Sequence, residues 1–245
     1  MFNDKKYFEV NREERHFGFL LMAAVIYEHN FRKQFFELIN NRIGREFLYN
    51  NNFDDIYGEV AIFRDYWNDL GDFKSAVNSD ETNTKRRIII EQFLEYFDIS
   101  KDIIDKYSMF WTGKIGKSKL WFPGKWSFED IEALQNEKKL KNKELLRLRW
   151  ACNAKPDVMI ISKKSCLLIE LKVESGIGTS SSGYNQEETQ DDILKLANLT
   201  VPCFKYMNFE RIMLTNGKDG NINWNEIRGM LTNELPIKHF ENMPK

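Results

Sequence analysis

The chain of 245 residues is 42% hydrophobic, 30% charged and 14% aromatic, a balance that excludes a disordered or collagen-like polypeptide and leaves ample material for a core. Its 36 basic and 37 acidic residues give a formal net charge of −1, which excludes nucleic-acid affinity resting on overall positive charge but not a local basic face. No apolar run reaches the roughly 18 residues of a membrane span, the N-terminal MFNDKKYFEVNREER has no secretory apolar stretch, and Cys152, Cys166 and Cys203 are too few for a disulfide framework.

A cytoplasmic protein with no membrane partner is therefore expected. The first third reads as helical. Asn11 can cap a helix whose apolar positions Phe17, Leu20, Leu21 and Ala24 recur on one face. A second helix is expected over Phe31 to Leu48, followed by the turn-rich NNNFDD. Tyr57 to Phe73 reads as helical, Ser79 to Thr84 as a polar break, and Lys85 to Phe97 as another amphipathic helix. Tyr107 to Trp126 interleaves Phe110, Trp111, Trp121, Phe122 and Trp126 with Lys114, Lys117, Lys119 and Lys125. Such a pattern either packs its rings in a core with solvated lysines between, or grips a nucleic-acid backbone and stacks bases. Lys114, Lys117, Lys119 and Trp121 are the candidate nucleic-acid contacts. The same segment holds Gly113-Lys-Ile-Gly116-Lys117-Ser118, the tail of a P-loop, but Trp111 stands where that motif needs its first glycine. Ser127 then caps a helical stretch to about Arg149.

From Lys155 the pattern changes to short strands and helices. Val158 to Ile161 and Cys166 to Val173 are apolar strands joined by a Lys163-Lys164 turn, with Cys166 in the core. The loop Ser175 to Asn185 leads to a helix over about Gln186 to Leu199. Phe204 to Met207 and Arg211 to Leu214 read as two more strands, and after an Asn216-Gly217 turn Trp224 to Leu231 forms a closing helix. This order argues an α/β or α+β domain. His16, His29 and His239 have no zinc-type spacing.

The chemistry lies in KPDVMIISKKSCLLIELKV. Alternation along the second strand puts Leu167, Ile169, Leu171 and Val173 on one face and Leu168, Glu170 and Lys172 on the other. A carboxylate and an ammonium on an apolar strand are costly unless paired, solvated or metal-bound. A hairpin would bring Asp157, at the start of the neighbouring strand, close to Glu170. Two carboxylates there can hold a hard cation such as Mg²⁺, and a nearby lysine can orient the attacking water. The bland alternative is a salt bridge on a sheet face.

These residues resemble the PD-(D/E)XK nuclease superfamily, with its restriction-endonuclease-like fold: Pro156-Asp157 on one strand and Glu170-Leu171-Lys172 on the next. The resemblance extends to a glutamine near the start of the following helix, Gln186 or Gln190, and to a first helix of pattern E-x-x-hydrophobic-small, Glu14-Arg15-His16-Phe17-Gly18. It implies an α/β core with a mixed central sheet flanked by helices, Asp157 and Glu170 as metal ligands, Lys172 as the catalytic lysine and Glu14 as an auxiliary acid. It also implies Mg²⁺, with Mn²⁺ able to substitute, and nucleic acid as substrate, DNA rather than RNA. The resemblance covers the last 90 or so residues and the first helix. Residues about 30–150 match no family pattern and are expected to be a helical elaboration of a single domain, suited to a homodimer or protein partner. Two alternatives stay open: a non-catalytic nucleic-acid-binding or assembly subunit on the same fold, and a phosphodiesterase acting on small nucleotides.

Overall fold

The computed structural model describes residues 14–49, 53–172, 186–215 and 221–230. In chain order its elements are α1 (Glu14–Tyr27), α2 (His29–Ile43), β1 (Phe53–Gly58), α3 (Ile62–Asp69), α4 (Ala76–Tyr96), α5 (Phe128–Lys138), α6 (Glu144–Asn153), β2 (Val158–Ser162), β3 (Ser165–Leu171), α7 (Gln186–Thr200), β4 (Asn208–Thr215), β5 (Ile222–Asn223) and α8 (Trp224–Arg228). Short 3-10 turns connect several of them. The chain divides into two compact units. One comprises Met1–Val60, Pro156–Gly178 and Met207–Lys245; the other comprises Ala61–Lys155 and Thr179–Tyr206.

The first unit is α/β. Its five strands lie in the order β1-β2-β3-β4-β5, antiparallel across β1, β2 and β3 and parallel across β3, β4 and β5. A two-residue Lys163-Lys164 turn suffices for the β2–β3 hairpin, whereas the parallel β3–β4 pair needs a long connection, and that connection carries α7. The alternation read along β3 holds. Leu167, Ile169 and Leu171 join Val158, Ile160, Ile212 and Leu214 in one apolar cluster with Phe17, Leu21, Ala24 and Val25 of α1, the α2 phenylalanines and Trp224. Every residue of β3, the central strand of the sheet, is buried.

Several local expectations fail for identifiable reasons. The second helix stops at Ile43 because Gly44 takes a left-handed conformation (φ 78°) that closes it. Phe47 and Leu48 follow as extended chain, and the Asn40 side chain accepts both of their N–H groups at 2.9 and 2.8 Å. Residues Phe53–Gly58, expected as turn and helix start, form an edge strand whose Asp-rich sequence carries no strand signal; pairing with β2 makes it one. Phe204 to Met207 is not a strand: a 3-10 turn occupies Pro202–Phe204, and β4 is one longer strand from Asn208. Ile222–Asn223, unanticipated, adds a short parallel strand next to β4.

The second unit is helical. Ser75 caps α4 by accepting from Asn78 N–H, and the helix runs unbroken through the polar stretch expected to interrupt it. Ser127 caps as expected, but the helix from it ends at Lys138, and α6 begins after Lys139 and Lys143 have both turned left-handed (φ 55° and 56°). Phe63 on α3 meets Phe93 on α4 edge-on at 5.4 Å, and Phe110 meets Trp126 edge-on at 4.8 Å. Asn11, Val173, the Ser175 to Asn185 loop, Asn216-Gly217 and His239 lie outside the described residues. No helix among the described residues is long and apolar enough to cross a membrane.

Candidate active site

The open end of the β2–β3 hairpin brings the sequence candidates together. Val158 pairs with Ile169, so the next step along the antiparallel register sets Asp157 against Glu170. Pro156, which has no N–H to give a ladder, precedes it. At this end of the pair the Asp157 side chain takes over from the backbone: its Oδ2 accepts the Leu171 N–H at 2.7 Å. The Asp157 carbonyl accepts from Glu59 N–H at 3.2 Å on the other side. Asp157 is thus held between β1 and β3 by its main chain and its side chain together.

Glu170 points to the face of β3 opposite the apolar cluster and is buried. Lys172, two residues on and on the same side, donates from Nζ to Glu170 Oε1 at 3.1 Å. Their side chains are 9% and 12% exposed, so this is a pair largely withdrawn from water, not a surface bridge worth little. The backbone of Lys172 is pinned at both ends. Its N–H donates to the Leu214 carbonyl at 2.8 Å, extending the parallel ladder with β4 by one step, and its carbonyl accepts the Trp224 indole N–H at 3.2 Å. Trp224 is itself 1% exposed within the core and begins a helix fixed by a capping box between Asn223 and Glu226. The sequence reading missed Trp224; the available signal was an indole donor in a buried amphipathic helix, which requires an acceptor somewhere.

Gly18 explains the small position in the first-helix pattern. A β-carbon there would lie 3.0 Å from Leu171 Cδ1 and 3.7 Å from Val158 Cγ2, so glycine lets α1 close directly onto the strand ends that carry Asp157 and Glu170. Glu14 opens α1, one turn before Gly18; its side chain lies outside the described residues. Next on the helix, Arg15 pairs with Glu59 at 2.5 Å.

The remaining candidates lie in the second unit. Gln186 opens α7, its side chain outside the described residues, and Gln190 is buried one turn further on. Close to it on α7, Asp192 is 1% exposed and accepts a bidentate pair from Arg147 at 2.9 and 2.7 Å and the Tyr96 hydroxyl at 3.0 Å. This ties α4, α6 and α7 together. Burial first, then the Asp192 charge, pushes the Tyr96 hydroxyl up to about 12. Of the aromatic and lysine segment, Phe110, Trp111, Phe122 and Trp126 are core residues, while Lys114, Lys117 and Lys119 are exposed and Trp121 is 36% exposed. The rings are therefore mostly packing, with Trp121 the exception.

A metal would have Asp157 and Glu170 as its protein donors. Among the described residues no group of three or more His, Cys, Asp or Glu side chains comes together. Two hard carboxylate donors suit Mg²⁺, which keeps several waters and takes substrate phosphate oxygens. Searches for a matching family model, a similar curated protein and a similar solved structure found none.

Proposed function

We propose that this protein is a divalent-metal-dependent nuclease of the PD-(D/E)XK type, on a restriction-endonuclease-like core, hydrolysing phosphodiester bonds in nucleic acid, DNA before RNA. One observation carries the reading: the hairpin register sets Asp157 against Glu170 at the strand end where Lys172 is held by both of its backbone groups. A structural ion pair needs only Glu170 and Lys172. The additional carboxylate of Asp157 and the doubly fixed lysine backbone are what a catalytic group requires, since reacting groups must be held in place before substrate arrives.

Asp157 and Glu170 would hold Mg²⁺, which when bound supplies a Lewis acid for the scissile phosphate and an acidified water. The chain's own residues do the rest. Lys172 gives Glu170 a counter-charge at 3.1 Å, which offsets part of the cost of burying its carboxylate. Its ammonium also orients the attacking water and offsets the charge that builds on the phosphoryl oxygens. Water gives a proton to solvent as its oxygen bonds to phosphorus, and the 3′-oxygen leaves and takes a proton from solvent.

The test is a cleavage panel of linear, circular and single-stranded DNA and RNA with Mg²⁺, Mn²⁺ or EDTA, run beside Asp157→Asn, Glu170→Gln and Lys172→Ala. Metal-dependent cutting lost in all three variants is expected. A second readout needs no substrate. Mg²⁺ should raise the melting temperature of Lys172→Ala, where it replaces the missing counter-charge, and not that of Glu170→Gln. Cleavage retained in the variants, or no metal response in either assay, overturns the reading and leaves a binding subunit.

A further inference from the structure

The second unit contains a cationic cavity that the nuclease reading does not use. It encloses about 270 Å³, and among the described residues its wall carries Arg64, Arg86, Lys119 and Lys125 and no acidic residue, alongside Trp67 and Trp121. Its walls are fixed. Arg64 and Trp67 come from α3 and Arg86 from α4. The 112–120 segment is clamped by Thr112 N–H to Lys119 carbonyl at 2.9 Å, and by Asn83 on α4, which bonds the Leu120 N–H and the Ser118 carbonyl at 2.9 and 3.0 Å.

Arg86 is the informative residue. It is 9% exposed and sits between the rings of Trp67 and Phe73, each centroid 4.8 Å from its guanidinium carbon. Among the described residues no carboxylate pairs with it; one Nη donates to the Trp67 carbonyl at 3.3 Å, and Nε is buried with no acceptor. The two ring faces offset part of the cost of burying the charge, but they do not satisfy N–H groups directed in the guanidinium plane. Burial lowers the pKa of this guanidinium without a counter-ion to restore it. A buried guanidinium on the wall of a cavity whose charged lining residues are all cationic suits an anion with several acceptor atoms.

A second cavity, of about 290 Å³, shares Thr112, Trp121 and Lys125 with the first. Trp126 lines it, and its indole Nε1 is also buried with no acceptor. Trp121 therefore borders two cavities and is partly exposed itself. Each cavity is smaller than the roughly 300–1,000 Å³ typical of a drug-sized ligand, so a ligand using both has a compact anionic end and a compact flat end.

We propose that these adjacent cavities bind a nucleotide, its phosphate seated at Arg86 between Lys119 and Lys125 and its base laid against Trp121. The phosphate supplies bidentate acceptors for guanidinium, and base–indole stacking suits a ring already partly uncovered. The site stands apart from the Asp157–Glu170–Lys172 reading and needs no metal.

The test is calorimetric titration in EDTA with a nucleoside 5′-monophosphate, the matching nucleoside, and a tetranucleotide bearing only internal diesters. The monophosphate or the tetranucleotide should bind at least tenfold more tightly than the nucleoside, and more weakly at high salt. Tighter tetranucleotide binding identifies the ligand as part of a strand; tighter monophosphate binding identifies a free nucleotide. Lys119→Ala and Lys125→Ala, both at exposed positions, should each weaken binding several-fold, and Arg86→Gln more. Should Arg86→Gln fail to fold, the two lysine variants decide. Glu170→Gln should bind as the parent does, so loss of the nuclease reading leaves this result standing. No binding of either phosphate ligand at millimolar concentration, a nucleoside that binds equally well, or a Lys119→Ala/Lys125→Ala double variant that binds unchanged would overturn the proposal.

Discussion

Two places in the molecule withdraw charge from water, and they do so differently. Where α4, α6 and α7 meet, Asp192 accepts three hydrogen bonds from Arg147 and Tyr96, side chains on two other helices. Each of these partners lies on a separate stretch of chain, so the cluster joins helices that the backbone does not join. At the end of β3, Glu170 and Lys172 are two residues apart on one strand and pair with each other at 3.1 Å, so their bond links no separate elements. The tie there is made by backbone groups instead: Leu171 N–H to Asp157, Lys172 N–H to Leu214, and Trp224 to the Lys172 carbonyl. Paired charges that bridge elements serve stability. Paired charges that are themselves held in place, beside a further carboxylate, suit the proposed metal-dependent chemistry.

That contrast gives a graded set of expectations. The largest effect belongs to the strand end. Lys172→Ala is expected to slow single-turnover DNA cleavage by about 10²–10³-fold or more, measured on protein shown to be folded by near-UV circular dichroism. A rate within a few-fold of the parent would reduce the pair to packing.

Next comes the helix junction. Arg147→Met leaves Asp192 buried without its cation and should cost about 3–5 kcal/mol of stability in urea melts. A loss under about 1 kcal/mol, the range of exposed pairs, would mean the cluster is better solvated than its burial indicates.

Gly18 tests how closely α1 must approach the strand end. Gly18→Val should destabilise by about 1–3 kcal/mol through overpacking against Leu171 and Val158. Gly18→Ala should be close to neutral, its gain in helix propensity offsetting a small shift of Leu171 Cδ1. Equal, large losses in both variants would indicate that the backbone, not the leucine tip, is in the way.

The smallest effect is a pH dependence at the helix junction. Tyr96 titrates near 10 when unfolded and at about 12 when folded, so the fold favours its neutral form. The stability that its hydroxyl contributes is full below pH 10 and is lost as pH rises through 12. The stability difference between the parent and Tyr96→Phe should therefore shrink over that interval, whereas a constant difference would place the hydroxyl outside the cluster.

Much of the candidate site was legible because it is local. Asp157, Glu170 and Lys172 follow from a Pro-Asp, a short turn and period-two alternation, and strand geometry turns those spacings into positions with no help from the rest of the chain. The residues that hold the site were not legible. Trp224 is 52 residues from the lysine whose carbonyl it binds, and the Leu214 carbonyl belongs to a parallel neighbour that no hairpin spacing announces. The Asn40 side chain that holds the chain after α2, and the register of β1, are likewise partnerships between distant residues.

The sequence by itself determined the apolar face of α1, the β2–β3 hairpin, the charged positions on the second face of its later strand and the cap at Ser127. These rest on periodicities and short-range hydrogen bonds that a chain carries wherever it goes. Only the tertiary structure decided that an Asp-rich segment becomes an edge strand, that α4 runs through a polar stretch, and that Arg86 is buried between two rings with no carboxylate of the described residues paired to it. Those outcomes depend on which surfaces meet, and burial assigns each group an environment that its own neighbours in the chain do not specify.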